Sequence, residues 1–403
     1  MQEEFFMKKV LILLLILGVA GGIFAQELTW SGKVQSGFQI DLGDDHDDPI
    51  VYATDDDVPT AAQARLNLNV AGDNWGFALG TGANVAQDKS FDMVFGNAHG
   101  WIDFLDGMVK LRAGLIDPGV WGTGGEGDWN LSSGVGTRLE IMPLGDKLNF
   151  GFMLNYWDSP LALTVKDWLM CTAFGASYND PDTMGLKFSI AMKMSPEGLE
   201  EFVSNVDEIG YDEEDESTWI WDVRPFDANS AAELIFAFGI SPIPELSVLI
   251  DGHVQNLGQY GDAGLFTIYE EVTYTGVENL SVGLLLGEGL SSDAVLNGDK
   301  GHSQAADTGF DWVFVKPWLE YAVTDSISAG LGIPIALSSK VGDDGKADGM
   351  GLSNFGADLW GKYTVGGAFA KLGYGFTNIA EDFAPGGEST TNHYVRMTFG
   401  FEF

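Results

Sequence analysis

The sequence predicts an all-β fold: a transmembrane antiparallel up-and-down β-barrel of about 18 strands, with about 16 as the alternative count. Three observations carry this. Apolar side chains fall on every second position from Leu28 to Phe403, and the connections between these segments alternate short and long. After Ala25 there is no uninterrupted apolar stretch of the roughly 20 residues a spanning helix needs. Without such a helix, only a closed barrel pairs every backbone N–H and C=O away from water.

Residues 1–25 read as an export signal. Met7, Lys8 and Lys9 precede the apolar run Val10 to Ala20; Gly21, Gly22, Ile23, Phe24 and Ala25 then lead to a cut at Gln26. Glu3 and Glu4 are wrong for a basic leader, which makes Met7 the alternative start. The run is short for an anchor crossing a hydrocarbon core of about 30 Å. No cysteine follows it, so it is not of lipoprotein type, and Cys171 alone makes no disulfide framework. Residues 26–403 are expected to form a single domain.

The first strand shows the pattern plainly. Leu28, Trp30, Val34, Phe38 and Ile40 alternate with Thr29, Ser31, Lys33, Gln35 and Gln39. An acidic loop from Asp41 to Pro59 follows. Ala64, Leu66, Leu68 and Val70 then alternate with polar neighbours up to Gly72-Asp73-Asn74, a tight turn into a strand carrying Trp75, Phe77 and Leu79. Strands 98–104 and 108–116 meet at Leu105-Asp106-Gly107; a glycine-rich loop, Asp117 to Ser132, leads to strands 134–142 and 148–156. Further pairs are read at 168–178 and 184–194, 231–240 and 246–255, 264–274 and 280–287, 311–322 and 327–336, and 354–363 and 368–377. The last strand places His393, Val395, Met397, Phe399, Phe401 and Phe403 on one face and Tyr394, Arg396, Thr398, Gly400 and Glu402 on the other.

Alternation alone also suits a soluble β-sandwich, and the connections decide between the two. Short turns fall near 72, 106, 144, 180, 242, 277, 325 and 366; long polar loops fall near 41–60, 86–97, 117–132, 157–167, 195–230, 256–263, 288–310, 337–353 and 378–392. A barrel in a membrane sorts its connections this way, one kind at each end, and a sandwich has no reason to. Aromatics such as Trp30, Trp75 and Tyr363 lie toward strand ends, where interfacial girdles belong.

The formal net charge of -39 belongs mostly to the loops. Asp44, Asp45, Asp47 and Asp48 crowd the first, and Glu197 through Glu216 the fifth. Parity puts Lys33, Arg65, Lys110, Arg112, Arg138, Lys187, Lys193, Lys316, Lys362, Lys371 and Arg396 on inward faces, with Asp103, Glu140, Glu233, Asp251, Glu320, Asp358, Glu402 and one of Glu270 or Glu271. An Arg or Lys facing lipid at mid-bilayer costs about 2–4 kcal/mol, so strand charges are driven to a watery lumen. The pore-lining candidates are therefore Lys33, Arg65, Asp103, Lys110, Arg112, Arg138, Glu140, Lys187, Lys193, Glu233, Asp251, His253, Lys371 and Arg396. Arg65, Lys110, Arg112 and Arg138 could form a basic wall facing an infolded acidic loop, giving a transverse field that filters solutes. The plainer reading is that they pair with Glu140 and its neighbours to brace the wall.

Loop 195–230 admits a helix: Ser195 caps it, Pro196 and Glu197 suit its first turn, and Leu199, Phe202, Val203, Val206 and Ile209 form a stripe. Such a helix would either plug the lumen or pack on the rim. Other motifs fail. Gly122 to Gly127 lacks the lysine of a phosphate loop. Asp344 and Asp348 lack the closing glutamate of a calcium loop. The five histidines have no ligand spacing, and no nucleophile signature occurs. Neither an enzyme nor a cofactor or metal is indicated, and no nucleic-acid partner.

Gly100-Trp101-Ile102-Asp103-Phe104-Leu105-Asp106-Gly107, Lys110-Leu111-Arg112-Ala113-Gly114 and Pro118-Gly119-Val120-Trp121-Gly122 resemble the porins of spirochaetes, those of treponemes above all. The last strand, ending in Phe403, resembles the closing strand of bacterial outer-membrane barrels. These resemblances imply an outer-membrane channel passing small hydrophilic solutes or ions, with periplasmic turns, extracellular loops and outer-membrane lipid around it. They also imply a homotrimer as in the wider porin group, and a terminal aromatic read by the barrel-assembly machinery. The reading from another class is a surface adhesin or structural barrel whose acidic loops bind a ligand or cations.

Overall fold

Alternating side chains and continuous backbone pairing build one closed wall. The computed structural model describes residues 27–42, 50–53, 60–86, 91–116, 120–127, 129–131, 134–155, 172–194, 208–211, 219–221, 232–257, 265–291, 312–341, 347–379 and 390–403. Its 18 wall strands are β1 (Glu27–Asp41), β2 (Thr60–Ala71), β3 (Trp75–Ala86), β4 (Phe91–Phe104), β5 (Val109–Ile116), β6 (Gly134–Ile141), β7 (Leu148–Asn155), β8 (Thr172–Asp180) and β9 (Leu186–Met194), then β10 (Ala232–Ile243), β11 (Leu246–Leu257), β12 (Leu265–Val277), β13 (Leu280–Ser291), β14 (Trp312–Thr324), β15 (Ile327–Gly332 with Ile335–Val341), β16 (Ala347–Val365), β17 (Ala368–Ile379) and β18 (Thr390–Glu402). Each pairs antiparallel with its sequence neighbours. β1 closes the cylinder against β18, with Lys33 opposite Glu402 on one side and Arg65 on the other. Gly32 and Phe403 exchange backbone hydrogen bonds of 2.8 and 3.0 Å at the seam. The count of 18 settles the choice against 16.

The short turns carry all four non-glycine residues with positive φ among the described residues: Leu105, Asp106, Met184 and Asn279. Tight reversals demand that conformation. Pro334 interrupts β15 because it has no N–H to give the ladder; its carbonyl accepts from Gly356 N at 2.8 Å, while Ile333 N donates to Pro317 O at 3.0 Å.

Outward positions are apolar and exposed, among them Val34, Ile102, Phe174, Leu284, Leu359 and Leu372. So wide a band of exposed apolar side chains is what a lipid-facing wall presents. Glu271 lies in register with inward Leu285, so it is the inward member of its pair. Glu270 sits outward between Ile250 and Leu286.

Three expectations are revised. The second and eighth connections are shorter than read, because β4 starts at Phe91 and β16 at Ala347. Backbone pairing continues there after the apolar alternation has faded, since a ladder needs no side-chain pattern to satisfy its N–H and C=O groups. Ile209, placed on a helical stripe, is in a strand, Glu208–Tyr211, paired with Trp219–Trp221. Its β-branched and aromatic neighbours suit an extended backbone. Leu199, Phe202, Val203 and Val206 lie outside the described residues, as do Cys171 and residues 1–25.

Candidate functional site

The lumen is divided by a loop that turns into it. Between β5 and β6 the chain carries Trp121 inward until it is wholly buried, against Ile116, Met153, Ala173, Ala191 and Ile235. Its indole Nε1 donates to Asn149 Oδ1 at 3.2 Å. The wall beneath is a register row of small residues, Gly151, Gly175 and Ala191. A Cβ on Gly175 would collide with the Trp121 ring, so the small row is the seat of the indole.

Polar latches hold the loop tip. Thr123 N donates to Trp129 O at 3.0 Å, and Trp129 N returns a bond to Thr123 Oγ1 at 3.1 Å. Gly127 N donates to Asp251 Oδ2 and Lys187 Nζ to Thr123 O, both at 3.2 Å. Gly124 takes φ +62°, which L side chains rarely adopt, and Gly125 passes so close to the Asp251 carboxylate that a Cβ would collide with it. The Trp129 ring lies 5.2 Å from that of His253 and 5.7 Å from that of Tyr269.

Under the loop the charges form a brace. Glu140 Oε1 accepts from Arg112 Nε at 2.6 Å and from Arg138 Nε at 2.8 Å, and Asn149 Nδ2 reaches Glu140 Oε2 at 3.3 Å. Arg112 also lies 3.1 Å from His99 Nε2 and over the Trp101 ring. Arg138 is only 1% exposed and Glu140 2%. A buried carboxylate between two guanidiniums satisfies charges that would be costly alone.

The residues read as pore-lining therefore separate. Arg138, Glu140, Lys193, Asp251 and His253 are buried rather than facing open water, because the loop and its packing cover them. His253 stands 3.6 Å from Glu233, and Lys193 is in register with Glu233. Asp103 pairs with Lys110 at 3.5 Å and Lys33 with Glu402 at 3.9 Å. Arg65 lies over Gly82 on the inward face. Arg396 donates to Gln39 Oε1 at 3.0 and 2.8 Å and covers the Tyr394 ring, while Lys371 lies 5.5 Å from the centre of Trp360.

The lumen stays open on the opposite side, along β12 to β18. A cavity of about 400 Å³ there is lined by Glu126, Glu271 and Asp358 and by Lys316, Lys371 and Arg396. Below the loop, toward the short turns, a second space of about 470 Å³ is lined by Lys110, Asn130, Asp146, Asn179 and Lys187. Parity identifies Lys316 and Asp358 as inward. Glu126 had no such signal, because a loop has no period. Among the described residues the infolded segment is the glycine-rich 120–131, and the acidic runs Asp44–Asp48 and Asp212–Glu216 fall outside them; the two tryptophans, Trp121 and Trp129, were the available hint.

No family model matches the sequence, and no curated protein does. In fold the chain is similar to Pseudomonas aeruginosa OccK5 (OpdH), with a TM-score of 0.54 at 11% identity, covering 94% of this chain and 99% of that one. It is also similar to Pseudomonas aeruginosa OpdQ, with a TM-score of 0.50 at 11% identity over 94% and 98% of the two chains. A multiply substituted Rh. blastica porin follows at 0.45 and 12% identity, over 94% and 100%. The structural neighbours are bacterial outer-membrane porins, and what the likeness establishes is the shared barrel.

Proposed function

We propose that the chain is an outer-membrane channel through which small hydrophilic solutes or ions diffuse passively. The observation that carries this is the open half of the lumen: a charged space of about 400 Å³ beside a wall whose outer face is apolar. Water and solutes enter such a space, and lipid does not. The exposed parts of Lys33, Arg65, Asp103, Lys110, Arg112, Lys187, Glu233, Lys371 and Arg396 line the path, with Lys316, Asp358, Glu271 and Glu126 at its charged middle. Acids and bases alternate along this wall, Glu271 on β12, Lys316 on β14, Asp358 on β16, and Lys371 and Arg396 on β17 and β18, with Glu126 on the loop, so the lining is a row of local dipoles that acts on dipolar solutes.

In this reading residues 1–25 are removed at Ala25/Gln26, and the strand ending in Phe403 is the handle for the assembly machinery. A homotrimer, the assembly implied by the resemblance to the wider porin group, belongs to the same reading. The spirochaete affinity rests on the short motifs around Trp101 and Trp121 alone.

Planar-bilayer recording of the refolded protein tests the proposal. Stable ohmic steps are expected, with Lys371→Glu shifting the reversal potential toward cation preference. A sealed barrel, showing no steps at any voltage, would overturn it and favour the adhesin or structural reading.

A further inference from the structure

We propose that the open half of the lumen carries a saccharide-binding track, in which Trp318 and Trp360 are platforms for neutral pyranose rings. The inference rests on the diffusion-channel reading above and names its solute class.

β14 descends from the long-loop end with Trp312, Phe314, Lys316, Trp318 and Glu320 on its inward face. A two-residue repeat spaces them by about 6.6–6.8 Å. A glycine lies beside Trp318 and beside Trp360, which also line the 400 Å³ space. Gly283 is opposite Trp318 and Gly330 is opposite Trp360, and a Cβ on either glycine would meet the indole atoms. Each indole therefore lies down over its glycine instead of standing out from the wall. A ring lying flat presents its π face to the lumen, and orientation decides what it can bind.

The electron-rich face attracts the C–H hydrogens that line one side of a pyranose. The sugar's hydroxyls radiate from its edge and need donors and acceptors beside the platform. The register supplies them: Trp318, Gly332, Asp358, Gly375 and Tyr394 form one inward row, and Trp360, Gly373 and Arg396 lie in the next. Tyr394 Oη donates to Asp358, and Arg396 is held by Gln39, so both polar groups are oriented in advance. Lys371 Nζ lies over the Trp360 ring, 5.5 Å from its centre, so a pyranose stacks there by displacing the ammonium, which then meets its hydroxyl rim.

Two features argue for a neutral polyol over an ion. Acids and bases lining the 400 Å³ space are equal in number, so no sign of charge is selected, whereas a sugar both donates and accepts. That volume also falls within the roughly 300–1,000 Å³ of small-molecule sites. The indoles have no lipid to serve, unlike outward Trp30, and an apolar face turned to lumen water is otherwise unfavourable.

The test is block of single-channel current by maltohexaose, with a polyethylene glycol of equal hydrodynamic size as control. Saturable block by the sugar alone is expected, weakened about ten-fold by Trp318→Ala and by Trp360→Ala. Block no stronger than the polymer's, or unmoved by both substitutions, overturns the saccharide track and leaves the channel intact. If no current flows at all, the channel reading fails. Tryptophan fluorescence titrated with maltohexaose in detergent then decides the site itself: saturable change lost in Trp318→Ala supports it, and a flat titration overturns it.

Discussion

The half of the lumen under the infolded loop and the half opposite carry the same kinds of inward residue for different ends. On one side Arg138, Glu140 and Asp251 are buried, Arg112 and Lys187 are tied to Glu140 and to the loop while bordering the 470 Å³ space below it, and small wall residues admit Trp121. On the other, Lys316, Asp358, Lys371 and Arg396 border open space, and glycines admit rings that lie flat. A charge facing inward is thus a brace or a filter according to what crosses in front of it. Glycine likewise serves packing in one half and exposure of a ring in the other.

The largest expected effect sharpens this contrast. Glu140→Ala strands two guanidiniums, one of them buried, and should cost about 3–5 kcal/mol of unfolding free energy. Asp358→Asn in the open half should cost under about 1 kcal/mol. Urea titration of both variants in detergent checks this, and equal losses would erase the distinction between the halves. An intermediate effect is expected at glycine. Gly175→Val drives a side chain into Trp121 and should cost about 1–3 kcal/mol while lifting the loop and raising conductance. Gly332→Ala meets only the Lys316 Cε, at 3.3 Å, and should leave both stability and conductance near those of the parent.

The smallest effect lies at the rim of the packed half. Lys147, in the turn before β7, bonds Asp180 at 2.6 Å and Asp182 at 3.1 Å, and the hydrogen bond to Asp180, then that to Asp182, pushes its pKa up to about 12. The raised value favours the charged form in the folded state. Its contribution is complete below the unfolded value of about 10.4 and is lost as pH rises toward the folded one. The difference in unfolding midpoint between the parent and Lys147→Met should be constant from about pH 7 to 9, then close on further alkalinisation. A difference that instead grew above about pH 10 would contradict the sign.

Much of the wall was legible in advance. Val34 and Ile102 could be placed outward, and Lys316 and Asp358 inward, because successive side chains of a strand must point to opposite faces. The Glu270/Glu271 pair was not, since either phase suited the local pattern, and only pairing with Leu285 chose Glu271 for the lumen. The loop Asp117 to Ser132 was read as glycine-rich, with no destination assigned to it. Its destination depends on Asn149, Gly175, Lys187 and Asp251, all on other strands.

The sequence by itself determined the period, the order of short and long connections, and so the closed cylinder with its oily outside. Those properties follow from sterics and pairing within a few residues of chain. Tertiary structure alone decided which inward charges are covered. Coverage comes from contacts such as Gly127 N to Asp251 Oδ2, 124 residues apart, that no local pattern encodes.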